Sequence, residues 1–310
     1  MAQVKLTELM KQRQLLSFEV FPPKTDKGME KLPDTLAHLC EFSPDYISCT
    51  YGAGGGNVGT NREVCQMIKK AGTTPVTHFT VIKNTREGMK EQLDQYLAEG
   101  VDHVLALRGD IPRGETTTCG DFDYATDLVK FVKDTYGDQF EIAVAGSPEG
   151  HIACRSLEAD VSVLKMKQDN GADYIMTQLC WDMEQFKRWM DMIRKAGVTM
   201  PVDVGIMPIL DMKATINMAL SRNGCVMDRE LSRLISKYWI FPDPFDSNPP
   251  FEDDQKDQKK EDFKKAGIEY TIRQIDQYRA IGIEGIHLYA LNKWKDVSEI
   301  VKASGMKTII

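Results

Sequence analysis

One carboxylate near the amino terminus has unusual surroundings, in the stretch Leu15-Leu16-Ser17-Phe18-Glu19-Val20-Phe21-Pro22-Pro23. Strand periodicity places Glu19 on the face opposite Phe18 and Val20, and the two prolines end the strand. A carboxyl group that loses hydration beside aromatic rings is harder to ionise, so we expect its pKa to be raised. Glu19 would then suit a proton donor, although an ion pair with a nearby lysine explains a strand-end glutamate equally well.

Further polar side chains stand near the ends of later strand patterns. They are Thr50, His78, Arg108, Asp110, His151, Gln178 and Asn292. Alternation along two of these strands groups Asp110 with Ala106, and Asn292 with Leu288 and Ala290. In a barrel, the carboxyl ends of all strands meet at one mouth, where the active site lies. Convergence from so many strands predicts a catalytic cleft rather than isolated structural polar groups.

The elements that must position these residues alternate between strand and helix patterns. Strands are predicted at 15–21, 45–51, 75–81, 102–110, 141–147, 173–181, 201–210 and 285–292, and helices at 27–42, around 62–68, 85–99, 124–136, 157–170, 182–196, 212–221, 228–238 and 253–281. Eight such units are the count of a (β/α)8 barrel, which usually takes about 250 residues plus insertions. We therefore predict an α/β fold, a single TIM-barrel domain over residues 1–310 with extra helices late in the chain. A doubly wound sheet is the alternative.

The composition limits the classes of function. The chain has 310 residues, of which 42% are hydrophobic and 27% charged, and its net charge of −7 argues against a nucleic-acid partner. The amino terminus lacks a secretory segment, and no apolar run approaches the roughly 20 residues of a membrane span. We therefore expect a cytoplasmic protein with no membrane attachment. Seven scattered cysteines without a C-x-x-C pair, and five histidines without ligand spacing, predict no metal site.

A glycine-rich turn, Gly54-Gly55-Gly56-Asn57-Val58-Gly59, matches the G-x-G-x-x-G pattern of dinucleotide-binding folds. That fingerprint expects an acidic residue at the end of the next strand, about 20 positions further on. The next strand ends instead in Thr80-Val81. We therefore interpret the turn as a barrel loop that covers a cofactor.

Taken together, the motifs resemble the methylenetetrahydrofolate reductase family, of the bacterial catalytic-domain type, over nearly the whole chain. They are, in family order, Phe18-Glu19-Val20-Phe21-Pro22-Pro23, Thr50-Tyr51-Gly52-Ala53, His78-Phe79-Thr80, Leu107-Arg108-Gly109-Asp110, Thr177-Gln178, Gly205-Ile206-Met207-Pro208 and Leu288-Tyr289-Ala290-Leu291-Asn292. The resemblance implies a (β/α)8 barrel with non-covalent FAD. In a ping-pong reaction, NADH or NADPH would reduce the flavin, which would then pass hydride to 5,10-methylenetetrahydrofolate. The product, 5-methyltetrahydrofolate, would supply methyl groups for methionine synthesis.

The resemblance also implies roles for individual residues. Glu19 would be the general acid that opens the five-membered ring, and Asp110 a second catalytic residue that places a fixed negative charge near flavin and pterin. Gln178 would hydrogen-bond the pterin, Thr50 would lie near the nicotinamide or folate, and Lys293 would stand where an arginine often contacts folate. The residues implied to hold the cofactor are Thr50, His78, Arg108, Gly109, Asp110, Tyr124, Ala125, His151, Asp160 and Lys167.

Some questions stay open at this stage. Ser147, Met166, Ala214 and Lys293 depart from the family pattern, which leaves the FAD and folate contacts at those places open. The sequence does not choose between NADH and NADPH or indicate a polyglutamate preference, and the resemblance is compatible with a homo-oligomer. Two other classes remain: a metal-independent lyase or aldolase with Glu19 as acid, and a non-catalytic scaffold. The first six predicted strands contain no lysine that could form an imine, which weighs against the lyase.

Overall fold

The computed structural model describes residues 5–51, 58–111, 114–221, 223–241 and 252–306. Within these ranges eight parallel strands form a closed barrel in chain order, and the last strand pairs with the first. The strands are β1 (Leu15–Val20), β2 (Tyr46–Cys49), β3 (Thr74–Thr80), β4 (His103–Leu107), β5 (Glu141–Gly146), β6 (Tyr174–Thr177), β7 (Val202–Ile206) and β8 (Gly285–Tyr289). The predicted (β/α)8 fold is confirmed, and the single domain over residues 1–310 stays a prediction.

Helices separate the strands and cover the outside of the barrel. They are α1 (Leu6–Met10), α2 (Asp26–Cys40), α3 (Val58–Lys70), α4 (Arg86–Ala98), α5 (Ala125–Tyr136), α6 (Leu157–Asp169), α7 (Met183–Lys195), α8 (Met212–Ala219), α9 (Arg229–Lys237), α10 (Asp253–Ile281) and α11 (Trp294–Ser304). Helices α8, α9 and α10 all lie between β7 and β8, which confirms the expected extra helices late in the chain.

The predicted bounds differ from the structure in three ways. Most predicted strands run too far at their carboxyl ends; the strand predicted at 201–210 is Val202–Ile206, because the apolar residues of the following loop, Met207-Pro208-Ile209-Leu210, continue its hydrophobic pattern. Helices α1 and α11 were not predicted. Helix α1 has only five residues, too few for a periodic signal, whereas α11 buries Val297, Ile300 and Val301 at readable helical spacing. Positions 54–57 of the glycine-rich turn lie outside the described residues.

Alternate side chains of each strand enter two different cores. The outer core lies between strands and helices and includes Phe18, Val20, Ile47, Phe79, Val104, Ala106, Ile286 and Leu288. The inner core fills the lower barrel with Leu15, Tyr46, Val76, Leu105, Ala143, Tyr174 and Met176. Ser17 and Glu19 continue the inner face that Leu15 begins, towards the carboxyl end of β1. The predicted separation of Glu19 from Phe18 and Val20 is therefore confirmed.

A buried glutamate holds α1 across the amino-terminal end of the barrel. The carboxylate of Glu141 accepts hydrogen bonds from the backbone N–H groups of Leu6 and Thr7, at 2.7 and 2.9 Å. His103 lies with Nε2 3.0 Å from Glu141 and Nδ1 2.7 Å from Asp102. Burial by itself lowers the pKa of His103, but hydrogen bonds to Asp102 and Glu141 outweigh it and raise the pKa to about 9.

We expect Glu141→Gln to lower the free energy of unfolding by about 3 kcal/mol near neutral pH, because it replaces one of the two carboxylates that pair with a buried imidazolium by a neutral amide. The folded pKa of His103 lies above its ordinary value of 6.5, so the stabilisation is complete below pH 6.5 and is lost as the pH rises through about 9. Urea unfolding of both proteins at about pH 6 and about pH 10 measures the difference.

The control for this prediction is Lys130→Ala, which removes an exposed ion pair with Asp134. That variant should change the unfolding free energy by less than about 0.5 kcal/mol at either pH. An equal effect of Glu141→Gln at both pH values would contradict a charged His103–Glu141 pair.

Candidate active site

Glu19 lies in the mouth of the barrel between two histidines. Its side chain is 15% exposed, and its Oε2 lies 3.5 Å from His78 Nε2 and 3.7 Å from His287 Nε2. Burial raises the pKa of the carboxyl group, but a hydrogen bond to His287 and the charges of His78 and His287 outweigh it, so the pKa is lowered. The raised pKa predicted from the sequence is therefore wrong. The neighbours are imidazoles on β3 and β8 rather than the lysine of the alternative interpretation.

Below Glu19 a chain of polar side chains runs into the barrel, and we call Glu19, His287, Ser17, Asp203 and Tyr46 the inner polar chain. His287 Nδ1 lies 2.8 Å from Ser17 Oγ, which lies 3.3 Å from Asp203 Oδ2. Tyr46 donates its hydroxyl proton to the same Asp203 oxygen at 2.6 Å, and its ring stacks on His287. Burial raises the pKa of Asp203 to about 6, against the charge of His287 and the hydrogen bonds from Tyr46 and Ser17.

Sequence reasoning missed His287 because it followed the wrong face of β8. Leu288 and Ala290, which the sequence pattern groups with Asn292, pack outward beneath the helices. Strand alternation also ends before Asn292, since Leu291 and Asn292 both adopt left-handed backbone angles, with φ of 47° and 60°. The amide of Asn292 accepts from the backbone N–H of Phe21 and donates to its carbonyl, so it joins the ends of β1 and β8.

Asp203 was missed for a different reason. It stands inside the apolar run Val202-Asp203-Val204, whereas the candidate catalytic residues were taken from the ends of the strands. A charged residue in the middle of a buried strand was the signal that could have found it, because such residues are rarely buried without a partner.

A second group of predicted residues assembles between the ends of β4 and α6. Arg108 and Asp110 follow β4, where Gly109 turns the chain with a φ of 83°, so they leave the barrel instead of continuing its outer face. The group consists of Arg108, Asp110, His151, Asp160 and Lys167, and we call it the β4–α6 cluster. The charges of the other four members all act on His151, whose pKa is lowered by partial burial and by Arg108.

Lys167 is the most enclosed member of the β4–α6 cluster. Its ammonium group donates a hydrogen bond to the carbonyl oxygen of Ala145, the penultimate residue of β5, at 2.8 Å. Burial lowers the pKa of Lys167, and the nearby carboxylate of Asp160 opposes that effect. An ammonium group carries three protons, so one bond to a carbonyl leaves capacity for an anionic ligand.

The remaining predicted residues lie around the same end of the barrel. Thr50 follows β2 and its carbonyl accepts from Asn61; Gln178 follows β6 and its side-chain oxygen accepts from the next backbone N–H, at 3.0 Å. Tyr124 is the exposed residue before α5, Ala125 begins that helix, and Lys293 is exposed before α11. Among the described residues, no hydrogen bond joins them to the inner polar chain or to the β4–α6 cluster, and their ligand contacts stay predictions.

The described residues contain neither a membrane-spanning helix nor a metal-binding cluster. None of the helices in the described ranges has the length and apolar character needed to cross a bilayer. Across the same residues, no cluster of three or more His, Cys, Asp or Glu side chains is arranged to hold a metal ion.

Comparison with known proteins identifies the family. Residues 5–234 match the family model described as methylenetetrahydrofolate reductase. The chain belongs to the methylenetetrahydrofolate reductase family. The resemblance noted in the sequence is thereby confirmed. The inner polar chain combines Glu19, Ser17, Tyr46 and Asp203 from the matched region with His287, which lies beyond it.

Individual members of the methylenetetrahydrofolate reductase family align over most of the chain. The 5,10-methylenetetrahydrofolate reductase of Pectobacterium carotovorum subsp. carotovorum is 31% identical over 283 residues, which cover 90% of this chain and 86% of that protein. Methylenetetrahydrofolate reductase (NADH) 1 of Arabidopsis thaliana is 31% identical over 303 residues, or 94% of this chain and 48% of that protein. The chain thus spans about half the length of the plant relatives that it matches.

A solved structure has the same fold at low sequence identity. It is an uncharacterized protein from Clostridium thermocellum that binds two copies of 5-methyl-5,6,7,8-tetrahydrofolic acid. The TM-score is 0.59 and the identity 14%, with 99% of this chain and 100% of that chain covered. At this identity the likeness extends to the fold only.

A glycine on β7 makes room beside the mouth of this reductase-family barrel. The backbone N–H of Gly205 donates to Thr177 Oγ1 at 3.0 Å, and the hydroxyl of Tyr289 donates to the carbonyl of Thr177 at 3.1 Å. A Cβ atom at position 205 would collide with that hydroxyl and that carbonyl. Neither neighbour can move without disturbing the hydrogen bond between the Tyr289 hydroxyl and the Thr177 carbonyl, so the position requires glycine.

We expect Gly205→Ala to lower the free energy of unfolding by about 2 kcal/mol, as is typical when an extra methyl group enters a packed interior. Chemical denaturation measures the change. The matched control is Gly59→Ala in α3, where an added Cβ has no neighbour within 4 Å. That control should be neutral or stabilising by up to about 1 kcal/mol. Equal effects of the two substitutions would contradict the steric role of Gly205.

Proposed function

We propose that this chain catalyses the flavin-dependent reduction of 5,10-methylenetetrahydrofolate to 5-methyltetrahydrofolate, with NADH or NADPH as the hydride donor. The observation that carries the proposal is the position of Glu19, an enclosed carboxylate between His78 and His287 at the mouth of the barrel. Family membership supports the substrate class. The reaction needs a proton as well as a hydride, and this site can supply the proton.

Glu19 is proposed to deliver that proton to the folate nitrogen that leaves when the five-membered ring opens. In the free protein the histidines favour the ionised carboxylate, so Glu19 does not store the proton by itself. Entry of a pterin ring would expel water from the mouth. The loss of hydration would disfavour both the ionised carboxylate and the protonated imidazole. A proton held on a neighbouring imidazole can then move to the carboxylate, and from there to the substrate.

The β4–α6 cluster is proposed to hold the cofactor. FAD carries a diphosphate, and Arg108 and Lys167 provide two cations in a partly enclosed place, as an anion requires. Tyr124 and Ala125 lie at the amino terminus of α5, where the backbone N–H of Ala125 can bind a phosphate oxygen, whereas that of Tyr124 already donates to Asp127. The chemistry that bound flavin supplies is the acceptance of a hydride from the nicotinamide and its transfer to the folate.

The remaining roles proposed from the family concern the substrates. Asp110 is exposed after β4, where its charge would stabilise the cation that forms when the folate ring opens. Thr50, Gln178 and Lys293 are proposed to contact the folate, and His78 and Thr50 to adjoin the flavin as well. His78 lies on β3 and the others follow strands, at the end of the barrel where such enzymes bind their substrates.

The visible absorbance of the purified protein tests the proposal. A flavin band should bleach during anaerobic addition of NADH or NADPH and return on addition of methylenetetrahydrofolate. The nucleotide that bleaches it faster is the preferred donor. A colourless protein that cannot be reconstituted with FAD would overturn the proposal.

We expect Glu19→Gln to separate the two half-reactions. The variant should retain FAD and oxidise the nicotinamide nucleotide at a rate within about twofold of wild type, because no proton from Glu19 is needed for that step. Folate reduction should fall by at least about a hundredfold, since the amide cannot donate the proton for ring opening. Stopped-flow absorbance of the flavin measures both rates.

The control for this variant is Glu30→Gln, which makes the same chemical change on the exposed surface of α2. Both of its half-reactions should match wild type. If Glu19→Gln lost nucleotide oxidation and folate reduction together, the acid role would be wrong.

We expect Lys167→Met to weaken FAD binding by at least about tenfold, because it removes a charge-assisted hydrogen-bond donor from the β4–α6 cluster. Fluorescence titration of apoprotein with FAD measures the dissociation constant. Lys165→Met is the matched control on the same helix, where Lys165 pairs with Asp169 on the surface. Unchanged FAD affinity in Lys167→Met, or an equal loss in both variants, would contradict this assignment.

A further inference from the structure

Helix α10 buries three polar side chains on one face, although the proposed reaction gives this helix no role. Thr271, Gln274 and Tyr278 follow one another at intervals of three and four residues, so they lie along the same side of the helix. None of the three is more than 4% exposed. Buried polar groups destabilise a fold unless they find hydrogen-bond partners, so this face calls for a physical reason.

All three side chains bond to backbone groups in the loops that follow β6 and β7. The amide Nε2 of Gln274 and the hydroxyl of Tyr278 both donate to the carbonyl oxygen of Cys180, at 2.8 and 2.6 Å. Thr271 Oγ1 accepts from the backbone N–H of Ile209 at 3.1 Å. A carbonyl oxygen has two lone pairs, so Gln274 and Tyr278 together satisfy that of Cys180.

The hydroxyl of Tyr278 is itself held in place by helix packing. Its ring contacts Phe186 of α7 edge to face, with the ring centroids 4.7 Å apart, and both rings are fully buried. A phenol oxygen lies in the plane of its ring, so a fixed ring also fixes the oxygen. The position of the Cys180 carbonyl is therefore set by α7 and α10 together.

Gln178, which the proposed function places against the folate, lies two residues before Cys180. Its backbone N–H donates to the carbonyl of Gly146 at 2.8 Å, and the carbonyl of the preceding residue, Thr177, accepts from the hydroxyl of Tyr289 at 3.1 Å. The segment is thus tied to the barrel before Gln178 and to α10 after it. Both attachments are needed to fix the backbone from which the Gln178 side chain projects.

The same backbone decides which end of the Gln178 amide is available. Oε1 of Gln178 accepts from the backbone N–H of Leu179 at 3.0 Å. An N–H group can only donate, so the amide oxygen must be the atom on that side. Among the described residues, Nε2 of Gln178 has no hydrogen-bond partner, which leaves its two protons for a ligand.

We propose that Gln274 and Tyr278 position Gln178 for the folate, through the carbonyl of Cys180. The inference rests on the proposed function, in which Gln178 contacts that substrate. Gln274 and Tyr278 are positioning residues, since their side chains bond to Cys180 rather than to a ligand. The fixed amide then donates from Nε2 to an acceptor atom of the bound folate, such as a ring nitrogen or the carbonyl oxygen of the pterin.

Binding of 5-methyltetrahydrofolate tests the inference. Calorimetric titration is carried out anaerobically on FAD-loaded protein whose flavin has been reduced with dithionite, so that the folate binds without hydride transfer. Gln274→Met and Tyr278→Phe each remove one donor and keep the shape of the side chain. Each should raise the dissociation constant about threefold, and the two together at least about tenfold. Affinity for FAD, measured by fluorescence titration of apoprotein, should stay within about twofold of wild type.

A double-mutant cycle shows whether the effect passes through Gln178. Gln178→Ala should itself raise the dissociation constant of 5-methyltetrahydrofolate by at least about tenfold. In that background, adding Gln274→Met and Tyr278→Phe should change the affinity by less than about twofold. Unchanged affinity in Gln178→Ala, or an equal loss on adding the α10 substitutions in both backgrounds, would overturn the inference.

Thr271→Val is the matched control on the same face of α10. It removes the hydrogen bond to Ile209, in the loop after β7, and leaves the two bonds to Cys180 in place. This variant should lose as much stability in urea unfolding as Tyr278→Phe does, but its folate affinity should stay within about twofold of wild type. An equal loss of folate affinity in both variants would mean general loosening, and the positioning role would be wrong.

Two further outcomes separate this inference from the proposed function. If wild type binds 5-methyltetrahydrofolate and the α10 double variant binds it equally well, the positioning role is overturned and the proposed function stands. If wild type does not bind 5-methyltetrahydrofolate, the proposed function is overturned and the inference with it. Should the double variant fail to fold, Tyr278→Phe alone decides by the same comparison, because it keeps the Gln274 donor.

Discussion

Contact between Glu19 and two imidazoles is the interaction on which the site depends, and only closure of the barrel creates it. Glu19 is paired in register with Tyr289 of β8 on one side and Ser48 of β2 on the other. His287 reaches the mouth because β8 returns to pair with β1, although the two positions are separated by most of the chain. Each strand turns alternate residues into an interior with little water, where polar groups must find partners among themselves.

The two ends of the barrel use the same residue types to opposite effect. At the amino-terminal end, Glu141 is saturated by backbone N–H groups and by His103, and His103 is held between two carboxylates, so its pKa rises. At the mouth, burial and the neighbouring His287 lower the pKa of His78, and Glu19 alone favours its charged form. The lower pair is therefore fixed as ions and stabilises the fold. Glu19 and His78 at the mouth both hold a proton less tightly than they would in water, as the proposed acid step requires.

How far the sequence predicts this arrangement depends on how local each feature is. Alternation correctly orients Glu19 because β1 is regular up to that residue, and it fails for Asn292 because two left-handed residues end the pattern first. The lowered pKa of Glu19 comes from side chains on β3 and β8, so reasoning from its own strand predicts the wrong direction. The β4–α6 cluster came from the family resemblance, since no spacing in the sequence relates Arg108 to Lys167.

The energetics of Asp203 argue against a role in stability. Its folded pKa of about 6 lies above the ordinary 3.8, so the ionised form is disfavoured by folding, and stability falls as the pH rises between these values. A shift of this size corresponds to about 3 kcal/mol at neutral pH. Valine would fill a buried strand position without that loss, but it could not accept a proton from Ser17. The firm contact of Asp203 is with Tyr46, whose hydroxyl donates to Oδ2 at 2.6 Å, whereas the Ser17 hydroxyl has both Asp203 Oδ2 and the carbonyl of Ile286 at 3.3 Å. The carboxylate thus holds the Tyr46 hydroxyl within the inner polar chain at the expense of stability.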